Sequence, residues 1–164
     1  MDSSNKHNVL HDDWMSFIEE RLAAGQTVRY VKFRGVSMRP MLRQGKDAVE
    51  IAPLPKQLKK YDLPVYKRSD GQYVMHRVIA VKKDRYICLG DNTVMLENIY
   101  PEQMIGVVSA FQRGEKRIEM ANRGYQLYCR VWVVLAPIRI VCVKMKHKMC
   151  SLLKFFKRVI KDET

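Results

Sequence analysis

Residues 63–89, LPVYKRSDGQYVMHRVIAVKKDRYICL, encode two successive hairpins, and the class of fold follows from them. Asp70-Gly71 stands between two runs rich in β-branched and aromatic residues, which is a strong hairpin signal. Lys83-Asp84 predicts a second hairpin further along the chain. Short strands at such close spacing favour a small, mostly antiparallel sheet or barrel.

Further short strands are predicted on both sides of these hairpins, so we expect the chain to be mainly β. The segments with strand composition are 28–33, 47–51, 63–66, 73–81, 85–89 and 104–111. An amphipathic helix is predicted ahead of them, capped by Asp12 or Asp13 and ended by Gly25. Its apolar stripe consists of Trp14, Phe17, Ile18 and Leu22, which we expect to pack in the core.

The composition is that of one globular domain with a strongly basic C-terminal segment. The chain has 164 residues, of which 47% are hydrophobic, so it is long and apolar enough to bury a core. Its net charge is +13, and residues 113–164 carry +9 of that charge against +4 over residues 1–112. Such a charge predicts an anionic partner, either a membrane surface or nucleic acid.

The basic C-terminal segment is also the most apolar part of the chain. Arg130 and Arg139 interrupt its apolar run over 125–143, which disfavours a simple transmembrane helix. Pro137 is expected to kink or end the first of two helices. Apolar side chains recur there at helical spacing, at Leu127, Tyr128, Val131, Trp132, Leu135 and Ile138.

Two interpretations of this segment stay open. Residues 123–161 have the pattern of interfacial helices attracted to an anionic membrane surface. Alternatively, the helices pack on their own domain and leave a solvated basic face. No nucleic acid is expected, because no helix-turn-helix, zinc finger or aromatic platform accompanies the charge.

The four cysteines predict reduced thiols. They lie at 88, 129, 142 and 150, and no pair has CxxC spacing. The start, MDSSNKHNVLHDDW, is polar and acidic and is not a secretory signal peptide, which favours a reducing compartment. Cys142, His147 and Cys150 lie close in sequence, but no second pair completes a tetrahedral set, so no metal site is predicted.

Three short segments contain the residue types of a serine hydrolase. They are Gly35-Val36-Ser37-Met38-Arg39-Pro40, His76-Arg77-Val78 and Gly90-Asp91-Asn92. A serine hydroxyl becomes a good nucleophile when a neutral histidine takes its proton and a carboxylate orients that histidine. Taken singly, a strand histidine, a turn serine and a turn aspartate are ordinary structural residues.

These segments resemble, in order and spacing, the conserved boxes of the signal peptidase I clan, which also holds the LexA-type self-cleaving repressors. The first is similar to the clan's GxSMxP box and the third to its GDN box. Residues 61–66, YDLPVY, are similar to a Gly-Asp-apolar box, with Tyr61 and Pro64 as departures. His76 stands where bacterial signal peptidases have lysine, so the chain resembles the Ser/His branch.

The resemblance implies an all-β catalytic fold, a coiled mixed barrel, over residues 27–112. Residues 1–26 would precede it as a loose end and the amphipathic helix, and residues 113–164 would follow as a basic helical tail. The resemblance implies neither a metal nor an organic cofactor.

The resemblance also assigns roles. Ser37 is the nucleophile, His76 the base and Asp91 the preferred orienting carboxylate, with Glu97 as the alternative. Relatives often have a serine at the position of Gly35, so the oxyanion hole would rest on backbone N–H groups, notably that of Ser37. Met38 would line the substrate pocket.

The function expected from this resemblance is that of a serine endopeptidase, a hydrolase that cleaves peptide or precursor-protein substrates through an acyl-enzyme. The chain resembles a compact subgroup that is cytoplasmic or peripheral at the inner membrane, with the cytoplasmic leaflet favoured. One alternative is a self-cleaving LexA-like regulator, although only 26 residues precede the part that resembles the catalytic domain. Another is a non-catalytic binding module.

Overall fold

The computed structural model describes residues 14–142 together with Met145 and Met149. The helices are α1 (residues 14–23), α2 (Arg123–Val134) and α3 (Ala136–Cys142), with a short 3-10 turn at Pro101–Gln103. The strands are β1 (Val28–Val31), β2 (Ala48–Ala52), β3 (Pro64–Lys67), β4 (Tyr73–Met75), β5 (Arg77–Val81), β6 (Tyr86–Leu89), β7 (Glu97–Ile99), β8 (Met104–Arg113) and β9 (Lys116–Glu119).

The strands of the described residues form two antiparallel sheets, which confirms the mainly β expectation without a closed barrel. The larger sheet has the order β1-β2-β8-β3-β4, with β9 paired to β8. The smaller sheet has the order β5-β6-β7. β9 lies beyond residue 112, so the larger sheet continues into the segment that the sequence predicted to be a helical tail.

Both predicted hairpins are present. β3 and β4 pair around Asp70-Gly71, with Lys67 opposite Tyr73, and Gly71 takes the positive φ of 83° that the turn requires. β5 and β6 pair around Lys83-Asp84. The local turn signals therefore sufficed to position these four strands.

The strand predicted over residues 73–81 is interrupted at His76. β4 ends at Met75 in the larger sheet, and β5 begins at Arg77 in the smaller one. After the break, the backbone of Val78 bonds to a loop instead of continuing the β4 pairing: its N–H donates to Asp62 and its carbonyl accepts from Tyr61. His76 is thus the single residue between β4 of the larger sheet and β5 of the smaller one.

The apolar stripe of α1 is rotated from its predicted position. Met15, Ile18 and Leu22 are buried in the main core, as a helix packed on a sheet requires. Trp14 and Phe17 instead stack on each other at the surface, with 46% and 39% of their areas exposed. The expectation that these two aromatic residues pack in the core was therefore wrong.

α2 packs on the β-domain through one face. Asn122 caps its start by accepting a hydrogen bond from the N–H of Tyr125. Tyr125 and Cys129 are buried in the main core, and the rings of Tyr125 and Phe111 lie 5.3 Å apart. This face of α2 is therefore part of the main core.

The chain bends by 60° between α2 and α3, next to Pro137, as the sequence predicted. In the part of the chain that the structure describes, neither helix alone has the length and hydropathy to cross a membrane. The two helices reach that length and hydropathy only when they are counted together as a bent pair. The predicted helical continuation beyond residue 149 lies outside the described residues.

Candidate active site

The turn that carries Ser37 follows β1 and is bonded to the turn that carries Asp91. The backbone N–H of Asn92 donates to the carbonyl of Ser37 at 2.7 Å, and the Asn92 side chain donates to the Val36 carbonyl at 3.3 Å. Two of the three segments singled out in the sequence therefore meet directly. Their contact fixes the backbone of the serine turn.

His76 is held by Glu97 and Tyr66. Its Nδ1 atom lies 3.0 Å from Oε1 of Glu97 and 3.1 Å from the Tyr66 hydroxyl. The Tyr66 hydroxyl donates its hydrogen to the other oxygen of Glu97, at 3.0 Å. We therefore assign the proton of neutral His76 to Nδ1, where it bonds to Glu97. Nε2 then has a free lone pair.

Asp91 does not contact His76, which corrects the preferred assignment of the orienting carboxylate. Its two oxygens accept hydrogen bonds from the guanidinium of Arg77 at 2.9 and 2.7 Å, and both side chains are buried. A bidentate pair of this kind engages both oxygens of the carboxylate. Glu97, the alternative in the sequence, is the carboxylate beside the imidazole.

Arg68 also holds the carboxylate of Glu97. It donates to both oxygens, at 2.9 Å for the Nε contact. Burial raises the pKa of Glu97, but the hydrogen bonds from Arg68 and Tyr66 and the adjacent His76 more than offset it, so the pKa is lowered. Glu97 is therefore an anion at neutral pH.

Burial is also the main influence on His76, and it lowers the pKa of the imidazole. The Glu97 carboxylate raises that pKa and the Arg68 cation lowers it, and the net shift is downward. A histidine with a pKa below the ordinary value of about 6.5 is neutral at pH 7. His76 therefore has the protonation state of a general base.

Ser37, Met38 and His76 line one cavity of about 670 Å³. Its walls come mainly from α1, β1, β2 and the β3–β4 hairpin, and they include the apolar side chains Met15, Val31, Phe33, Val49, Ile51, Val65, Val74 and Met75. Met38 is also 2% exposed and belongs to the core, so it both fills the interior and borders the cavity. In the part of the chain that the structure describes, the hydrogen bonds of His76 do not include one to the Ser37 hydroxyl.

The glycine of the serine segment and the glycine of the GDN turn have different environments. Gly35 has a φ of 99° and open space around it, and it is not among the residues that line the cavity. A Cβ atom at Gly90 would stand 2.9 Å from Nε2 of His76 and 2.8 Å from the Thr93 methyl group. Gly90 therefore keeps the space beside the free nitrogen open.

The sequence analysis missed Tyr66, Arg68 and Thr93. Tyr66 lies opposite Val74 in the β3–β4 hairpin, and Val74 is two residues before His76. Because side chains alternate along a strand, the hairpin register places Tyr66 diagonally beside His76 on one face. That register could have been read from the Asp70-Gly71 turn. Thr93 closes the Gly90 turn through its hydroxyl, which no local pattern indicated.

The buried Arg77 ties the site to the C-terminal helices. Its guanidinium donates to the Tyr125 hydroxyl and to the Cys129 sulfur, both at 3.0 Å, in addition to Asp91. From α3, Arg139 donates to the carbonyl of Asp91. The GDN turn thus contacts α3 directly and α2 through Arg77.

No comparison identifies a relative: protein-family models, curated proteins and solved structures all return no match to this chain. Among the described residues, no group of three or more His, Cys, Asp or Glu side chains is arranged to hold a metal ion. Of the sequence neighbours Cys142, His147 and Cys150, only Cys142 lies among the described residues. What the site does is therefore inferred from its own chemistry.

Proposed function

We propose that this chain is a serine endopeptidase similar to signal peptidase I of the Ser/His branch. One observation carries the proposal: Glu97 holds His76 by Nδ1, and His76 and Ser37 line the same cavity. A buried histidine with one nitrogen bound to a carboxylate and the other free has the arrangement of the base in a catalytic triad.

In the proposed reaction, Ser37 Oγ attacks the scissile carbonyl carbon while Nε2 of His76 takes the hydroxyl proton. Backbone N–H groups, including that of Ser37, stabilise the oxyanion. His76 then gives its proton to the leaving amine as the C–N bond breaks. Water, deprotonated by the same nitrogen, hydrolyses the acyl-enzyme and restores Ser37.

Glu97 stabilises the imidazolium that forms at each step and keeps the proton of neutral His76 on Nδ1. Tyr66 and Arg68 fix the carboxylate in turn, since each donates to it. This arrangement costs no reorganisation during the reaction. It supports a triad of Ser37, His76 and Glu97.

The cavity suits an extended peptide with small or apolar side chains. β1 and β4 are the end strands of the five-strand path in the larger sheet, and residues of both line the cavity. In the resembled clan the substrate lies along such a strand edge, where main-chain hydrogen bonds give affinity and pockets give specificity. The coiled barrel of that clan is part of the same proposal.

The test compares the wild type with Ser37→Ala and His76→Ala on a pool of precursor peptides, with new termini read by mass spectrometry. We expect new termini from the wild type alone. Cleavage by Ser37→Ala at the wild-type rate would overturn the mechanism. A wild type that cleaves nothing but retains peptides would favour the non-catalytic binding module, and cleavage confined to its own chain would favour the self-cleaving regulator.

The cellular location is a separate proposal. The described residues contain no single helix that could span a membrane, and the C-terminal segment is strongly basic. Anionic lipids attract such segments to the cytoplasmic leaflet. We place the protein in the cytoplasm or peripherally at the inner membrane, on that side.

A further inference from the structure

The C-terminal helices expose an apolar surface where a domain-packed helix pair would expose polar side chains. Between 40% and 73% of each of these side chains is exposed: Leu127, Val131, Val134, Leu135, Ile138 and Val141. We call these six residues the outer face. Met145 and Met149 continue it, with 62% and 60% exposed.

The opposite side of the helices is already occupied. Tyr125, Cys129 and Ala136 are buried against the domain, and Arg139 donates to the carbonyls of Asp91 and Trp132. The helices therefore cannot turn the outer face inward without breaking these contacts. Helices that pack on a domain through one face normally carry polar residues on the other, and a contiguous exposed apolar patch marks an interaction site.

The charge in the sequence of the C-terminal segment, together with that on α2 itself, indicates what covers the outer face. Residues 120–161 contain ten Arg or Lys side chains and no Asp or Glu. Arg123 and Arg130 are exposed on α2 itself. A second copy of the chain would bring the same positive charge against this surface, so self-association through the outer face is opposed. An anionic bilayer offers both apolar depth and complementary charge.

We propose that the outer face docks on an anionic membrane surface, with α2 and α3 lying in the interface. Arg130 stays at the headgroups, and Arg139 stays bound to the domain through the Asp91 carbonyl and to α2 through the Trp132 carbonyl. The 60° bend lets two short helices follow the surface in place of one long span. This proposal is independent of the peptidase reaction.

The test uses the full chain with Ser37→Ala, so that proteolysis does not interfere, in co-sedimentation with vesicles of phosphatidylcholine alone or mixed with phosphatidylglycerol. We expect binding to the mixed vesicles that weakens with added salt. Val134→Asp together with Ile138→Asp should weaken it by roughly tenfold or more, because two apolar side chains would have to leave the interface. Leu54→Asp changes an exposed apolar residue outside these helices and should bind as the parent does.

Equal binding by the double variant and the parent would overturn the proposal, as would equal binding to neutral and mixed vesicles. Loss of binding only when residues 150–164 are removed would assign the contact to that segment and also overturn it. Concentration-dependent dimerisation without lipid, abolished by the double variant, would show that a second copy covers the outer face. Far-ultraviolet circular dichroism checks that the variants fold.

Discussion

Glu97 and Asp91 are both acidic and both follow His76 in the chain, but they have different partners. Glu97 contacts the imidazole and is 17% exposed in its side chain, whereas Asp91 is enclosed by Arg77. Glu97 binds the guanidinium of Arg68 through both oxygens and still reaches Nδ1 of His76. The carboxylate of Asp91 faces Arg77 and not the imidazole. We therefore expect the two residues to respond differently to substitution.

Glu97→Gln should lower kcat by roughly 10²–10⁴-fold, since a neutral amide neither fixes the His76 tautomer nor stabilises the imidazolium. The acid limb of kcat/KM should begin below pH 6.5 in the wild type, because burial lowers the pKa of His76. Glu97 raises that pKa, so its removal should move the limb to still lower pH. A pH–rate profile of both proteins measures the shift.

Asp91→Asn is the matched control for this experiment. It also removes a carboxylate that follows His76 in the chain, but one that contacts Arg77 and not the imidazole. Its acid limb should stay closer to that of the wild type. If Asp91→Asn moved the limb and Glu97→Gln did not, Glu97 would lose its assigned role.

Gly90→Ala tests the open space beside Nε2 of His76. The added methyl group would stand within 3 Å of that nitrogen and of Thr93, closer than real Cβ contacts allow. We expect kcat to fall while the circular dichroism spectrum is retained. Gly71→Ala, at an exposed turn away from the imidazole, should affect stability and spare kcat. Full activity in Gly90→Ala would show that the space is not needed.

At the scale of elements, the Arg77–Asp91 pair joins β5 and the GDN turn to α2. Asp91→Ala would leave the Arg77 charge buried without its carboxylate, so we expect a loss of about 3–5 kcal/mol in the free energy of unfolding. Denaturant titration measures it. Combining Asp91→Leu with Arg77→Met should recover part of the loss, because no uncompensated charge remains. A double variant no more stable than Asp91→Ala would contradict this account.

The same elements show what the sequence could and could not predict. The β3–β4 hairpin followed from Asp70-Gly71 because a two-residue turn signal is local. The carboxylate partner of His76 could not be predicted in this way. The turn sequence around Asp91 is intact, but the bond between Asp91 and Arg77 depends on how the two sheets and α2 meet. Trp14 and Phe17 have the spacing of a buried stripe, but hydrophobic period alone does not fix the rotation of α1 by one side chain.

At the scale of the whole molecule, the β-domain and α2 should unfold together. Tyr125 and Cys129 belong to the same buried cluster as the strands, so helix and sheet share one core. The chain has two tryptophans, Trp14 on α1 and Trp132 on α2. Fluorescence of Trp14→Phe and of Trp132→Phe should therefore give coincident denaturant transitions. Each variant's fluorescence midpoint is compared with the midpoint of its own circular dichroism transition. A difference between the two would show that α2 detaches independently.

Cys129 is buried on the face of α2 that packs on the domain, so the labelling rate of its thiol measures how often that helix detaches. Cys88 is enclosed in the smaller sheet and Cys142 is exposed, so the described thiols span both extremes of access to a labelling reagent. In a chain with Cys142→Ser and Cys150→Ser, equal labelling rates at Cys88 and Cys129 would mean that only global opening admits reagent. Faster labelling at Cys129 would measure the rate at which α2 opens locally, without global unfolding.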